Sequence, residues 1–165
     1  NVTAMVLRGV AASGLRFAVD VVLGPSAPHI AGVRALIAEL KLDATLHVDV
    51  SDMASLVSAA DLAIGAAGQT SFERCCLGLP TLIAVTADNQ IEFAQALVAA
   101  GAVERLASLD QERIASTLKS LVRDRERRRA MCWRGAALCD GEGATRALQA
   151  VTATVAAPRE KAVNH

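Results

Sequence analysis

Asp61-Leu-Ala-Ile-Gly-Ala-Ala-Gly-Gln-Thr-Ser-Phe-Glu73 is the stretch from which the fold can be read. Residues 62–65 are short and apolar, as in a strand covered on both faces. Four small residues follow, Gly65, Ala66, Ala67 and Gly68. A helical pattern then starts near Gln69 and runs to Leu77, where Gly78 supplies a stop. A strand, a small-residue loop and a helix in that order form the repeating unit of a parallel α/β sheet. The loop contains neither the G-x-G-x-x-G fingerprint nor a P-loop, which disfavours NAD and ATP.

The alternation continues in both directions. Residues 17–23, 45–50 and 81–85 read as further buried strands, and 103–106 adds a fifth. Helical spacing covers residues 3–12 and 28–40; in the second, Ile30, Val33, Leu36, Ile37 and Leu40 share a face. Asp52 caps a short helix over 53–60. A helix over 89–100 stops at Gly101. Two more helices lie between 110 and 139, and a last one spans 143–156. The pattern predicts a Rossmann-like α/β domain over residues 1–156, a parallel sheet with helices on both faces. Residues 157–165 are expected to be a disordered tail. The pattern opens on part of a helix, so a preceding first strand is expected to be missing.

Composition narrows the function. The chain has 165 residues, enough for one domain with one core. Hydrophobic residues are 53% and aromatics 2%, which makes the core aliphatic and excludes a disordered chain. Lys plus Arg and Asp plus Glu are 17 each, so no net charge attracts nucleic acid or a membrane surface. The run at 123–129, Arg-Asp-Arg-Glu-Arg-Arg-Arg, is diluted by acids and reads as a solvated helix face, with a partner patch as the lesser alternative. No apolar run reaches the roughly 18 residues of a membrane span. Cys75, Cys76, Cys132 and Cys139 lack C-x-x-C spacing and read as free thiols in a reducing cytoplasm; no metal set or cofactor motif is visible.

Ligands of open α/β sheets bind at the carboxyl ends of the strands. At the end of the 62–65 strand, Gly65, Ala66, Ala67 and Gly68 let a phosphate approach the backbone, and the following helix start offers free amides. Thr70 and Ser71 add hydroxyl donors. Glu73, one turn on, either accepts hydrogen bonds from a ribose or merely complements the helix dipole. After the 81–85 strand, Thr86, Asp88, Asn89 and Gln90 form a polar loop. Asp88 suits a helix cap, whereas Asn89 and Gln90 suit sugar hydroxyls, because an amide both donates and accepts. His29 reads as a surface helix-start residue in preference to an acid or base. His47 has no evident partner. No catalytic triad, metalloprotease motif or carboxylate pair is present.

Taken together, residues 51–90, with 94–103, 21–30 and 140–148, resemble the C-terminal domain of the pseudaminic-acid-pathway UDP-sugar hydrolases, relatives of the MurG-type glycosyltransferases with the GT-B fold. The resemblance spans roughly residues 1–150. It implies a two-domain enzyme whose substrate is a UDP-linked deoxyamino sugar, with UDP held by this domain and the catalytic His on an N-terminal domain absent from this chain. No residue here inherits a catalytic role. By the same resemblance, Gly68, Gln69 and Thr70 hold the diphosphate, Glu73 binds the ribose, Val50 and Met53 flank the uracil, and Asn89 and Gln90 face the sugar. The chain departs from the family where Ala67 replaces a glycine, which is expected to set a methyl beside the phosphate, and where Gln69 and Phe72 replace Ser and Trp. A UDP-sugar glycosyltransferase of the same fold is the first alternative. A binding module that has lost its ligand is the second.

Overall fold

The computed structural model describes residues 1–156, so the expected tail lies outside the described residues. Helix α1 (Val2–Ala12) leads into strand β1 (Val19–Leu23), then α2 (Ile30–Leu40), β2 (Ala44–Val48) and α3 (Met53–Ala59). Strand β3 (Ala63–Ala66), α4 (Thr70–Cys76) and β4 (Thr81–Ala84) follow. A 3-10 turn over Asp88–Gln90 enters α5 (Ile91–Ala99). Strand β5 (Val103–Arg105) and helices α6 (Gln111–Arg123), α7 (Arg125–Leu138) and α8 (Gly143–Ala156) complete the described chain. All five expected strands form, and every ladder is parallel.

The hydrogen-bonded order differs from a single continuous sheet. β1 pairs only with β2, while β3, β4 and β5 form a second ladder in that order. Side chains hold the two groups together. Helix α1 packs mainly on α6 and also on α2. Val10 of α1 belongs to a buried cluster with Leu82 and Ala84 of β4 and Ile114, Leu118 and Leu121 of α6. Phe17, Leu42 and Leu62, each just ahead of β1, β2 or β3, pack against that same cluster. The amino ends of both groups therefore gather on one side, and the loops leaving the strands emerge on the other.

Strand β4 carries the core. Leu82 and Ala84 face α1 and α6, whereas Ile83 points the other way, into a cluster with Cys75 of α4 and Ala94 and Leu97 of α5. This alternation with period two is what a strand covered on both faces requires. Leu82 and Ile83 are both fully buried. Each such side chain contributes about 1.5–3 kcal/mol by leaving water.

The stops fall where glycine permits them. Gly78 and Gly101 adopt φ of 63° and 68°, which ends α4 and α5 without strain. Asp52 accepts from the Ser55 amide at 3.0 Å, as expected of a cap. Asp110 and Asp124 cap α6 and α7 in the same manner. The second strand ends two residues earlier than its apolar pattern, because Asp49 turns to a positive φ of 59° and bonds Leu23 O. The basic run joins α6 to α7. Arg128 closes on the Leu121 carbonyl at the end of α6, and Arg127 pairs with Glu104 at 2.6 Å, so two of its arginines are structural. Among the described residues no helix is long and apolar enough to cross a membrane.

Two measurements test the packing and the caps. A Cβ on Gly9 would meet Ile114 Cγ2 at 2.4 Å and Cβ at 2.5 Å. The second of these is a branch point that cannot swing aside. Gly9→Ala gains about 1 kcal/mol of helix propensity but overpacks by about 1–3 kcal/mol. A net loss is expected in denaturant unfolding, and it should shrink when Ile114→Val is added. Separately, hydrogen bonds from Ser55 and from Ser108 hold the Asp52 and Asp110 carboxyls below their usual values. Their contribution is therefore complete above the ordinary carboxylate range and is lost as pH falls through the lowered values. The thermal midpoint should hold from pH 7 to about 5 and fall below about pH 4, less steeply in Asp110→Asn.

Candidate nucleotide site

The residues singled out above converge on the carboxyl ends of the strands. The β3–α4 turn is built from inside. Gly68 N donates to Ala66 O at 3.0 Å, and Ser71 N donates to Gly68 O at 2.9 Å, which brings the chain sharply from strand to helix. A Cβ added at Gly68 would meet nothing within 4 Å. The protein itself does not require glycine there, so the space above Gly68 is open to a visitor. Gln69 and Thr70 are exposed beside it, and their side chains make no hydrogen bond among the described residues. Glu73 is exposed on the same short helix, with no ion-pair partner among the described residues.

Two expectations at this turn are corrected. The Ala67 methyl does not stand beside a phosphate. Ala67 is only 1% exposed and packs in the cluster under α5 with Ile83 and Leu97. Ala67 N donates to Ala84 O, which pins the residue to β4. Ser71 is not a surface donor either. It is fully buried, its hydroxyl lies 3.4 Å from Ala66 O and accepts from Arg74 Nη2 at 3.0 Å.

Arg74 is the residue that pattern reading missed. Its side chain turns back from α4 onto the end of β3, and Nη2 donates to Ala66 O at 3.0 Å. Gly65, expected to leave room for a ligand, instead accommodates this guanidinium: a Cβ on Gly65 would lie 2.4 Å from Arg74 Nη1. Removal from water holds the Arg74 guanidinium below its usual value.

At the end of β4, the Gln90 side chain closes the loop. Its Oε1 accepts from Thr86 N and from Thr86 Oγ1, both at 3.0 Å. The carbonyl half of that amide is thus occupied and the NH₂ half is free. Asn89 is exposed beside it. Asp88 makes no side-chain cap; it opens the 3-10 turn from which α5 starts at Ile91. Beyond β2, Val50 is half-buried, and Met53 is the first residue of α3, half-buried behind the Asp52 cap.

Two histidines, His29 and His47, lie among the described residues. His29 is exposed at the start of α2 and caps nothing. His47 does have a partner. Its Nε2 lies 2.7 Å from Asp20 Oδ1, across the β1–β2 ladder in which Val22 faces His47. Only the register of two distant strands brings that pair together. A cavity of about 360 Å³ between α5, β5 and α7 is lined by Arg105, Arg134 and the Glu104–Arg127 pair. It runs along β5 from Gly101 to Arg105, and none of the site residues named above lines it.

Comparison with known proteins agrees with this architecture. Residues 23–137 match the glycosyltransferase family 28 C-terminal domain. No curated protein sequence matches the chain. Among solved structures, MurG of Acinetobacter baumannii is similar with a TM-score of 0.67 at 19% identity, covering 90% of this chain and 46% of that one. HepE of Anabaena, solved in complex with UDP-glucose, has a TM-score of 0.68 at 15% identity, covering 90% and 44%. The spinosyn rhamnosyltransferase SpnG has a TM-score of 0.65 at 26% identity, covering 88% and 40%. The chain spans less than half the length of each of these structures. The matched segment takes in the strand-end loops after β2, β3 and β4 in one continuous stretch, and the chain belongs to the glycosyltransferase family 28 C-terminal domain family, with the fold of one half of a GT-B enzyme.

Proposed function

We propose that this chain is the nucleotide-sugar-binding domain of a glycosyltransferase that uses a UDP-sugar donor. One observation carries the reading: the family match covers residues 23–137, the stretch that holds all the strand-end loops described above. The diphosphate lies over Gly68, against the Gln69 and Thr70 amides. Glu73 accepts from the ribose hydroxyls. Val50 and Met53 border the uracil, and Asn89 with the free half of Gln90 meets the sugar. The open space above Gly68 and the unpaired state of Glu73 support this arrangement. UDP is the nucleotide to try first, because HepE was solved with UDP-glucose.

Titration of the chain with UDP tests the site. Preferential binding of UDP over ADP is expected. Glu73→Ala should weaken UDP about ten- to a hundredfold, the worth of a charged hydrogen bond. The same variant should bind 2′,3′-dideoxy-UDP no worse than the wild type does. Equal weakening for both nucleotides would remove Glu73 from the ribose.

A second reading is a UDP-sugar hydrolase of the pseudaminic-acid type, in which water takes the place of the acceptor. The loop at 87–90 supports it: Thr86 holds the Gln90 side chain with its NH₂ half free, next to the exposed Asn89. Product analysis separates the two. A protein carrying this domain together with its partner domain should, as a transferase, leave a UDP-linked deoxyamino sugar intact until an acceptor is added. Free sugar and UDP in the absence of any acceptor would favour the hydrolase instead.

A further inference from the structure

We propose that Arg74 is a phosphate-binding residue, reaching the diphosphate of the nucleotide through Nη1 across Gly65. The inference rests on the nucleotide-sugar reading above and adds a contact that this reading does not contain. The side chain divides its work between its nitrogens. Nη2 is committed to the protein, through Ala66 O and Ser71 Oγ. Nε is shut away from solvent with no acceptor. Nη1 lies against Gly65 and makes no hydrogen bond among the described residues.

Among the described residues no carboxylate pairs directly with the guanidinium, although Glu73 next to it favours its charged form. The ion pairs among the described residues are Arg8–Glu39, His47–Asp20, Arg127–Glu104 and Arg146–Asp140, and none involves Arg74. A guanidinium stays protonated even when partly withdrawn from water. A partly desolvated cation without a direct ion pair is costly to keep. The adjoining turn leaves open space over Gly68. A diphosphate satisfies both. It brings negative charge to the guanidinium and acceptor oxygens to its free N–H groups, through charge-assisted bonds for which arginine is well shaped. Gly65 follows from the same geometry, because any side chain there would push the guanidinium off the strand. No covalent bond forms or breaks in this contact.

The test compares UDP, uridine and inorganic pyrophosphate binding to the chain and to Arg74→Gln and Arg74→Lys. Arg74→Gln should bind UDP about ten- to a hundredfold more weakly and keep its uridine affinity within about twofold. Pyrophosphate should compete with UDP on the wild type and lose that ability in Arg74→Gln. Arg74→Lys keeps the charge without the fork, and it should restore part of the UDP affinity. Unchanged UDP binding in Arg74→Gln overturns the inference. So does a parallel loss of UDP and uridine, which would make Arg74 a brace of the turn and nothing more. If Arg74→Gln does not fold, Arg74→Lys decides: a loss confined to UDP and pyrophosphate supports the contact, and a parallel loss or none overturns it. A wild-type chain that binds neither UDP nor uridine removes the nucleotide reading itself, an outcome distinct from normal wild-type binding with an unaffected variant.

Discussion

Both helix layers of this domain stand on one strand. β4 is four residues long and buried throughout, with Leu82 and Ala84 given to α1 and α6 and Ile83 to α4 and α5. Its two neighbours inherit their positions from it. Ala63 is set against Thr81 and Val103 against the same residue from the other side. The loops after β3 and β4 are therefore placed by a rigid element, and the residues in them need little order of their own. A binding site on such loops keeps its geometry at low entropic cost.

The two ladders join differently. β1 and β2 reach the rest of the core through α1, whose Leu7 packs on Val21 while its Val10 packs on Leu82. A helix that serves two sheets must approach both closely, and Gly9 is where it does so against Ile114. The same helix thus fixes where the loop after β2, with Val50 and Met53, stands relative to the turn after β3. Packing far from any ligand sets the separation between the proposed base and phosphate subsites.

The sequence was most legible where structure is local. Strand and helix types followed from period and from glycine stops, because Gly78 and Gly101 act on their own neighbours. The Asp52 cap was legible for the same reason. What depended on distant partners was not. The Asp20–His47 pair needs the register of β1 on β2. The inward Ser71 and the buried Ala67 need to know which side of the turn faces β4. The break between the two ladders is invisible to a pattern that reports strands but not their neighbours. The site loops were found as loops, while the direction of each side chain within them was not.

Arg74 shows why that last distinction matters for function. By spacing it is an ordinary residue of a short helix, and its charge would be assigned to solvent. Folded, it turns back onto the end of β3, with Nη2 holding the turn and Nε and Nη1 left unbonded among the described residues. Burial of part of that charge costs stability, which the hydrogen bonds of Nη2 and the nearby Glu73 offset in part. In the proposed site, a charge already partly desolvated and held in place by Nη2 costs less to reorganise when an anion arrives. There, the guanidinium beside Gly65 and the open space over Gly68 serve the same ligand group.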